Sequence, residues 1–172
     1  MSGAALVRGE LMAPAFVLSA VAALPIAAAA ILAGHQVTAF FGGGMSRASL
    51  ALAAMLVAAS LIVTQIVIHN GVALLLPAWV RIGDRRGGGM EMMGQSMVVM
   101  LGAVFVMVLA VIPAAMAGAM AALIIGLVLS TVPVVLPAAA FAAVLLAECL
   151  IATVVLGRVL DRMDIGSLDP QA

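Results

Sequence analysis

The chain has 172 residues, of which 67% are apolar and only 8% charged, and its formal net charge is zero. A soluble domain carries about 25% charged residues, so fourteen charged side chains cannot cover a water-facing surface on this chain. The composition excludes a soluble domain and indicates an all-α, polytopic transmembrane helix bundle that forms a single domain with the lipid bilayer as its solvent. There is no Lys, and the seven arginines are scattered, so no nucleic-acid footprint is present. The single Cys149 cannot form an internal disulfide. Aromatic residues make up only 3%, which leaves the Trp/Tyr interface belts thin.

A bilayer core about 30 Å thick needs roughly 20 apolar residues per helix. The first such run is 11–33, preceded by Arg8 and Glu10. It exceeds the about 7–15 residues of a signal-peptide core, so it reads as a retained span. Pro14 falls in the first turn of that run and Pro25 inside it, where a kink is expected. Residues 34–48 read as a polar, glycine-rich link. The second run, 49–80, is too long for one straight span. His69, Asn70 and Gly71 read as a helix break, which makes 49–80 a kinked segment.

Residues 81–96 are the most polar part of the middle and hold Arg81, Arg85 and Arg86. The positive-inside rule assigns this loop to the cytoplasm, with the N-terminus on the same side. From Met97 to Leu156 the chain is almost continuously apolar, and Pro113, Pro133 and Pro137 suggest spans at 97–113, 115–133 and 138–157. The expectation is therefore about five membrane segments. It conflicts with Arg158 and Arg162, because five crossings put their end outside.

Within the apolar runs the polar residues are Gln65, His69, Asn70 and Glu148. Glu148 stands halfway along the last run. An ionised carboxylate in hydrocarbon is costly, so Glu148 is expected to be protonated, paired or facing a wet interior. Its role is either a proton or substrate contact or a hydrogen bond between helices. Gln65, His69 and Asn70 are its expected partners. The thirteen Met residues invite a soft-metal reading, but no second Cys or His cluster accompanies them, so no metal site is expected. Hydrolase, metalloprotease and phosphate-loop motifs are missing, which points to no catalytic residues, no enzyme activity and no cofactor.

The stretch Asn70-x-x-Ala73-Leu-Leu-Leu-Pro-Ala-Trp-Val-Arg-Ile-Gly83, then Arg86, Gly89, Glu91 and Met93-Gly94-Gln95, resembles the membrane subunit of bacterial ABC exporters. Ile112-Pro-Ala-Ala115, and Glu148 followed by the residues from Leu156 to Asp164, are similar to the end of those permeases. The resemblance implies a permease in the bacterial cytoplasmic (inner) membrane that pairs with a separate ATPase subunit. It further implies that Arg81, Arg85, Arg86, Glu91 and Gln95 couple the two. Such permeases have more spans, so this chain resembles a C-terminal portion or a half that forms a homo- or hetero-oligomer. A non-transporting membrane scaffold or assembly protein and a small ion-coupled carrier using Glu148 are the alternatives.

Overall fold

The computed structural model describes residues 3–40, 46–75, 90–129 and 133–162. They form four α-helices: α1 (Gly3–Phe40), α2 (Arg47–Leu75), α3 (Met90–Val128) and α4 (Val135–Arg162). Each contains a stretch long and apolar enough to cross a bilayer: Leu11–Leu32, Arg47–Leu75, Ser96–Val128 and Val135–Leu160. Among the described residues the architecture is all-helical, as the composition requires.

The helix count differs from the expected five. Segments 97–113 and 115–133 belong largely to one helix, because α3 runs through Pro113 without ending. Proline removes one backbone N–H and frees one carbonyl, which membrane helices tolerate. Pro113 lies on the exposed side of α3, where its ring meets no neighbouring helix. α3 ends at Val128, and α4 begins at Val135. Pro133 lies between them, and the Leu136 N–H donates to the Pro133 carbonyl at 3.0 Å. Pro137 is then accommodated in the first turn of α4, where N–H groups have no intrahelical acceptor.

Three further expectations change. The polar link 34–48 is helical as far as Phe40, so His35 and Gln36 extend α1. Because α1 begins at Gly3, Pro14 is in its interior and not in its first turn. The helix break read at His69, Asn70 and Gly71 is absent, since α2 continues to Leu75. The remainder of the 49–80 segment lies outside the described residues. Ser46 caps α2: its Oγ accepts from the Ser49 N–H at 3.1 Å, and the Ser49 hydroxyl donates to the Ser46 carbonyl at 2.7 Å.

The centre of the bundle is the α2–α4 pair. The buried positions of α2 are Ala53, Ser60, Thr64, Val67 and Gly71. Those of α4 include Ala138, Ala142, Leu145, Cys149, Thr153 and Leu156. Both sets advance mainly by alternating steps of three and four, the seam of left-handed helix packing. Thr64 meets Cys149 and Gly71 meets Leu156. Both partners advance by seven residues between these contacts, so α2 and α4 run parallel. Leu11, near the start of α1, clusters with Val67, Cys149 and Leu156, which makes α1 antiparallel to both. On the other flank α3 packs along α4, with Gly118 against Pro137 and Phe141, and the six residues between Val128 and Val135 are too few to return to the start of α3, so α3 is also antiparallel to α4.

α4 therefore touches all three other helices, while α1 and α3 flank the central pair on opposite sides. Their outer faces carry large exposed apolar side chains such as Phe16, Leu24, Leu32, Phe105, Met116 and Leu127. Hydrocarbon covers such faces at no cost.

Candidate functional site

Three polar features lie inside this apolar bundle. The first is the α2–α4 seam itself. Ser60, Thr64 and Thr153 are the buried polar residues of the described interior. Each hydroxyl donates back to its own helix: Ser60 to the Val57 carbonyl at 2.9 Å, Thr64 to Ser60 at 2.8 Å and Thr153 to Leu150 at 2.8 Å. The Thr64 Oγ1 also lies 3.3 Å from the Cys149 Sγ, the one side-chain link between helices in this set. No buried side-chain polar atom among the described residues is left without a partner. The seam's hydroxyls are thus satisfied within the protein and sit where the two helices pack closely. The sequence reading passed over Ser60, Thr64 and Thr153. Their signal was the heptad step Ser60, Thr64, Val67, Gly71.

The second feature is a groove of about 750 Å³ between α1 and the α2–α4 pair. Leu11, Phe16 and Ser19 line it from α1, Ile66 from α2, and Leu150 and Thr153 from α4. Leu11 to Ser19 spans eight residues, or about 12 Å of helix. That depth approaches one leaflet of a bilayer. The lining offers hydroxyls and a thiol but no charge, so its chemistry suits hydrocarbon.

The third feature is the set of intramembrane polar side chains read from the sequence. Glu148 is half-buried near the middle of the α4 span. It lies seven residues after Phe141 on the flank of α4 that α3 covers, level with about Val111 of α3. Glu148 takes part in none of the side-chain hydrogen bonds described for the bundle. Its expected partners are not brought to it. Gln65, His69 and Asn70 are all exposed on α2, and the Asn70 amide donates to the Ile66 carbonyl of its own helix at 2.9 Å. Gly71 serves close packing against Leu156, with room for a Cβ at an ordinary 3.5 Å. No group of His, Cys, Asp or Glu able to hold a metal ion exists among the described residues.

The alternating directions gather charge at one end. The start of α1, the end of α2, the start of α3 and the end of α4 lie together. Arg8 and Arg162 belong to helical turns there, as does the exposed Arg158. The 76–89 connection between those ends of α2 and α3 contains Arg81, Arg85 and Arg86. These three lie outside the described residues, whereas Glu91 and Gln95 fall in the opening turns of α3. Among the described residues Arg8, Arg158 and Arg162 belong to this end, and Arg47 begins α2 at the other. Glu10, Glu91 and Asp161 fall in helical turns on the same side.

The fold and this charge distribution define a multi-pass helical membrane protein. No protein-family model matches the chain, and no curated protein or solved structure is significantly similar to it.

Proposed function

We propose that the chain is the membrane permease component of an ATP-driven exporter, docking a separate ATPase through residues 81–96. The observation that carries this reading is that Arg8, Arg158 and Arg162 lie at the end of the bundle where α2 finishes and α3 begins, the two helix ends that the sequence joins through Arg81, Arg85 and Arg86. Positively charged connections face the cytoplasm, where ATP is. Four crossings return the end of α4 to the side of Arg8, which removes the conflict that five crossings create for Arg158 and Arg162. Both ends of α2 and α3 that flank the arginine-bearing connection belong to helices packed on α4, so force applied there reaches the whole bundle. The likeness of residues 70–95 to ABC permeases points the same way. On this reading the bundle sits in the bacterial inner membrane with the N-terminal end of α1 cytoplasmic, and the groove beside α1 receives apolar cargo.

Vanadate-sensitive ATPase activity that co-purifies with the tagged chain from native membranes tests the proposal. Arg85→Glu/Arg86→Glu should lower that activity by about tenfold or more, since reversing charges at an interface sets them against their partners. Arg47→Glu, at the opposite end, should leave it unchanged. Equal retention by both variants counts against docking at this loop.

The closely packed α2–α4 seam, its polar atoms satisfied within the protein, favours a second reading, a membrane scaffold that transports nothing. The ion-coupled carrier needs Glu148 to exchange protons. Glu148→Gln in proteoliposomes separates these readings: proton-coupled flux that disappears with the carboxyl supports the carrier, and flux that persists sinks it.

A further inference from the structure

The groove beside α1 opens sideways into hydrocarbon, and the helical register sets an arginine at its outer end. Its floor includes the buried Leu11, Val67 and Cys149, and its rim the exposed Met12, Phe16 and Leu150. A trough rimmed by exposed apolar side chains within a membrane span takes its occupant from the bilayer and not from water. It begins at Leu11, the first residue of the Leu11–Leu32 span, and runs about 12 Å to Ser19, close to the depth of one leaflet.

At about 100° per residue, Leu11, Met12, Ala15, Phe16 and Ser19 span an arc of about 140° on α1, and the position of Arg8 falls inside that arc, one turn before Leu11. Glu10 falls on the opposite side of the helix. Across the groove, Asn70 follows Ile66 and Val67 on the same face of α2. Leu11 clusters with Val67 and the two helices are antiparallel, so the positions of Arg8 and Asn70 come about level. Asn70 is exposed, and its amide gives one hydrogen to the Ile66 carbonyl at 2.9 Å, which leaves the other to donate. By the register that sets Thr64 beside Cys149, Asp161 of α4 lies about 9 Å farther out along the axis. A cation position and an amide donor thus stand together where the apolar trough begins.

We propose that Arg8, Asn70 and this groove form a binding site for one anionic phospholipid. The phosphate sits against Arg8 and Asn70, and one acyl chain lies along α1 as far as Ser19. Such a lipid joins an anionic head to a hydrocarbon chain, in the order in which the groove offers a cation and then an apolar trough. The groove volume of about 750 Å³ lies within the usual range of small-molecule sites, about 300–1,000 Å³, and its lining carries no charge that would oppose hydrocarbon. A head of net negative charge is preferred to a zwitterionic one, because it brings no ammonium to oppose Arg8. As the cargo of an exporter, this lipid rests on the function proposed above; as a bound ligand it needs neither ATPase nor transport.

The test places an indole in the groove of the purified full chain, as Phe16→Trp in a Trp79→Phe background, in phosphatidylcholine liposomes. Quenching by a small fraction of phosphatidylglycerol with brominated chains is compared with quenching by the same fraction of brominated phosphatidylcholine. Phosphatidylglycerol should be preferred about fivefold, the worth of one arginine toward an anionic head. Arg8→Gln should abolish the preference, and Arg8→Lys should keep part of it. Arg158→Gln, at the same end but off the groove-lining face of α4, should leave it intact. Val17→Trp, exposed at the same depth on the opposite side of α1, should show no preference. Equal quenching by the two lipids at Phe16→Trp, an equal preference at Val17→Trp, or a preference that survives Arg8→Gln would each overturn the proposal. A preference in a chain that co-purifies no ATPase activity supports the site and counts against the exporter alone.

Discussion

Gly118→Leu should detach α3 from α4. A Cβ built on Gly118 would lie 3.2 Å from the Pro137 carbonyl oxygen and 3.4 Å from the Phe141 Cβ. The first of these is a backbone atom in the opening turn of α4, which cannot swing aside as a flexible side chain would. Gly118→Ala already forces the helices apart by a few tenths of an ångström, and leucine adds three more carbons in the same place. Overpacking of this kind costs about 1–3 kcal/mol, more when backbone must move. Exposed backbone is not created, because each helix keeps its own hydrogen bonds, so secondary structure should survive. The expected signature is unchanged helicity with loss of a cysteine cross-link engineered between α3 and α4. Gly71→Ala is the internal comparison. Its added methyl meets only the Leu156 methyl groups, at 3.5 and 3.6 Å, and should be tolerated. If Gly118→Leu keeps the α3–α4 cross-link, the close approach described at Pro137 is wrong.

The second large effect is expected at Leu145. Its side chain is fully enclosed at 0% exposure, at the level where α4 meets its neighbours, and Ala114 of α3 is equally buried. In a soluble core, Leu→Ala costs about 2–5 kcal/mol, the sum of a transfer term and a cavity term. In a bilayer the separated helices bury the leucine in lipid, so the transfer term largely vanishes. The lost packing remains, and about 2 kcal/mol, the low end of that range, is the expected cost. Leu146→Ala on the same helix is the control, because Leu146 is exposed on the wall of the groove beside α1 and fills no enclosed site. Reversible unfolding in mixed micelles should show a clear loss for Leu145→Ala and almost none for Leu146→Ala. Equal losses would show that α4 is not packed as described.

The membrane class was readable from fourteen charges in 172 residues, because no soluble fold can hide the rest. The helix count was less readable. Pro113 reads as an end, and His69-Asn70-Gly71 as a break, by rules that hold where water competes for the backbone. In lipid the cost of exposing that backbone keeps α3 and α2 helical through both positions. Facing was legible only in the heptad step of Ser60, Thr64, Val67 and Gly71 on α2. Inward residues such as Ala53, Ala138 and Ala142 are no more apolar than the outward Leu24, Val98 or Leu127, so no amphipathic period marks them. Glu148 was legible as a single carboxyl in an apolar run. Its surroundings were not, since sequence spacing says nothing about which flank of α4 meets α3. The coupling role proposed for Arg81, Arg85 and Arg86 comes from the resemblance of their segment to ABC permeases, and it rests on the partner experiment above.

The four described helices have a practical corollary. Because α1 starts and α4 finishes at the same end, a hydrophilic tether can join α4 of one molecule to α1 of the next without an additional crossing. Tandem concatemers should therefore insert with every repeat oriented alike, and substitutions can be introduced into one repeat at a time.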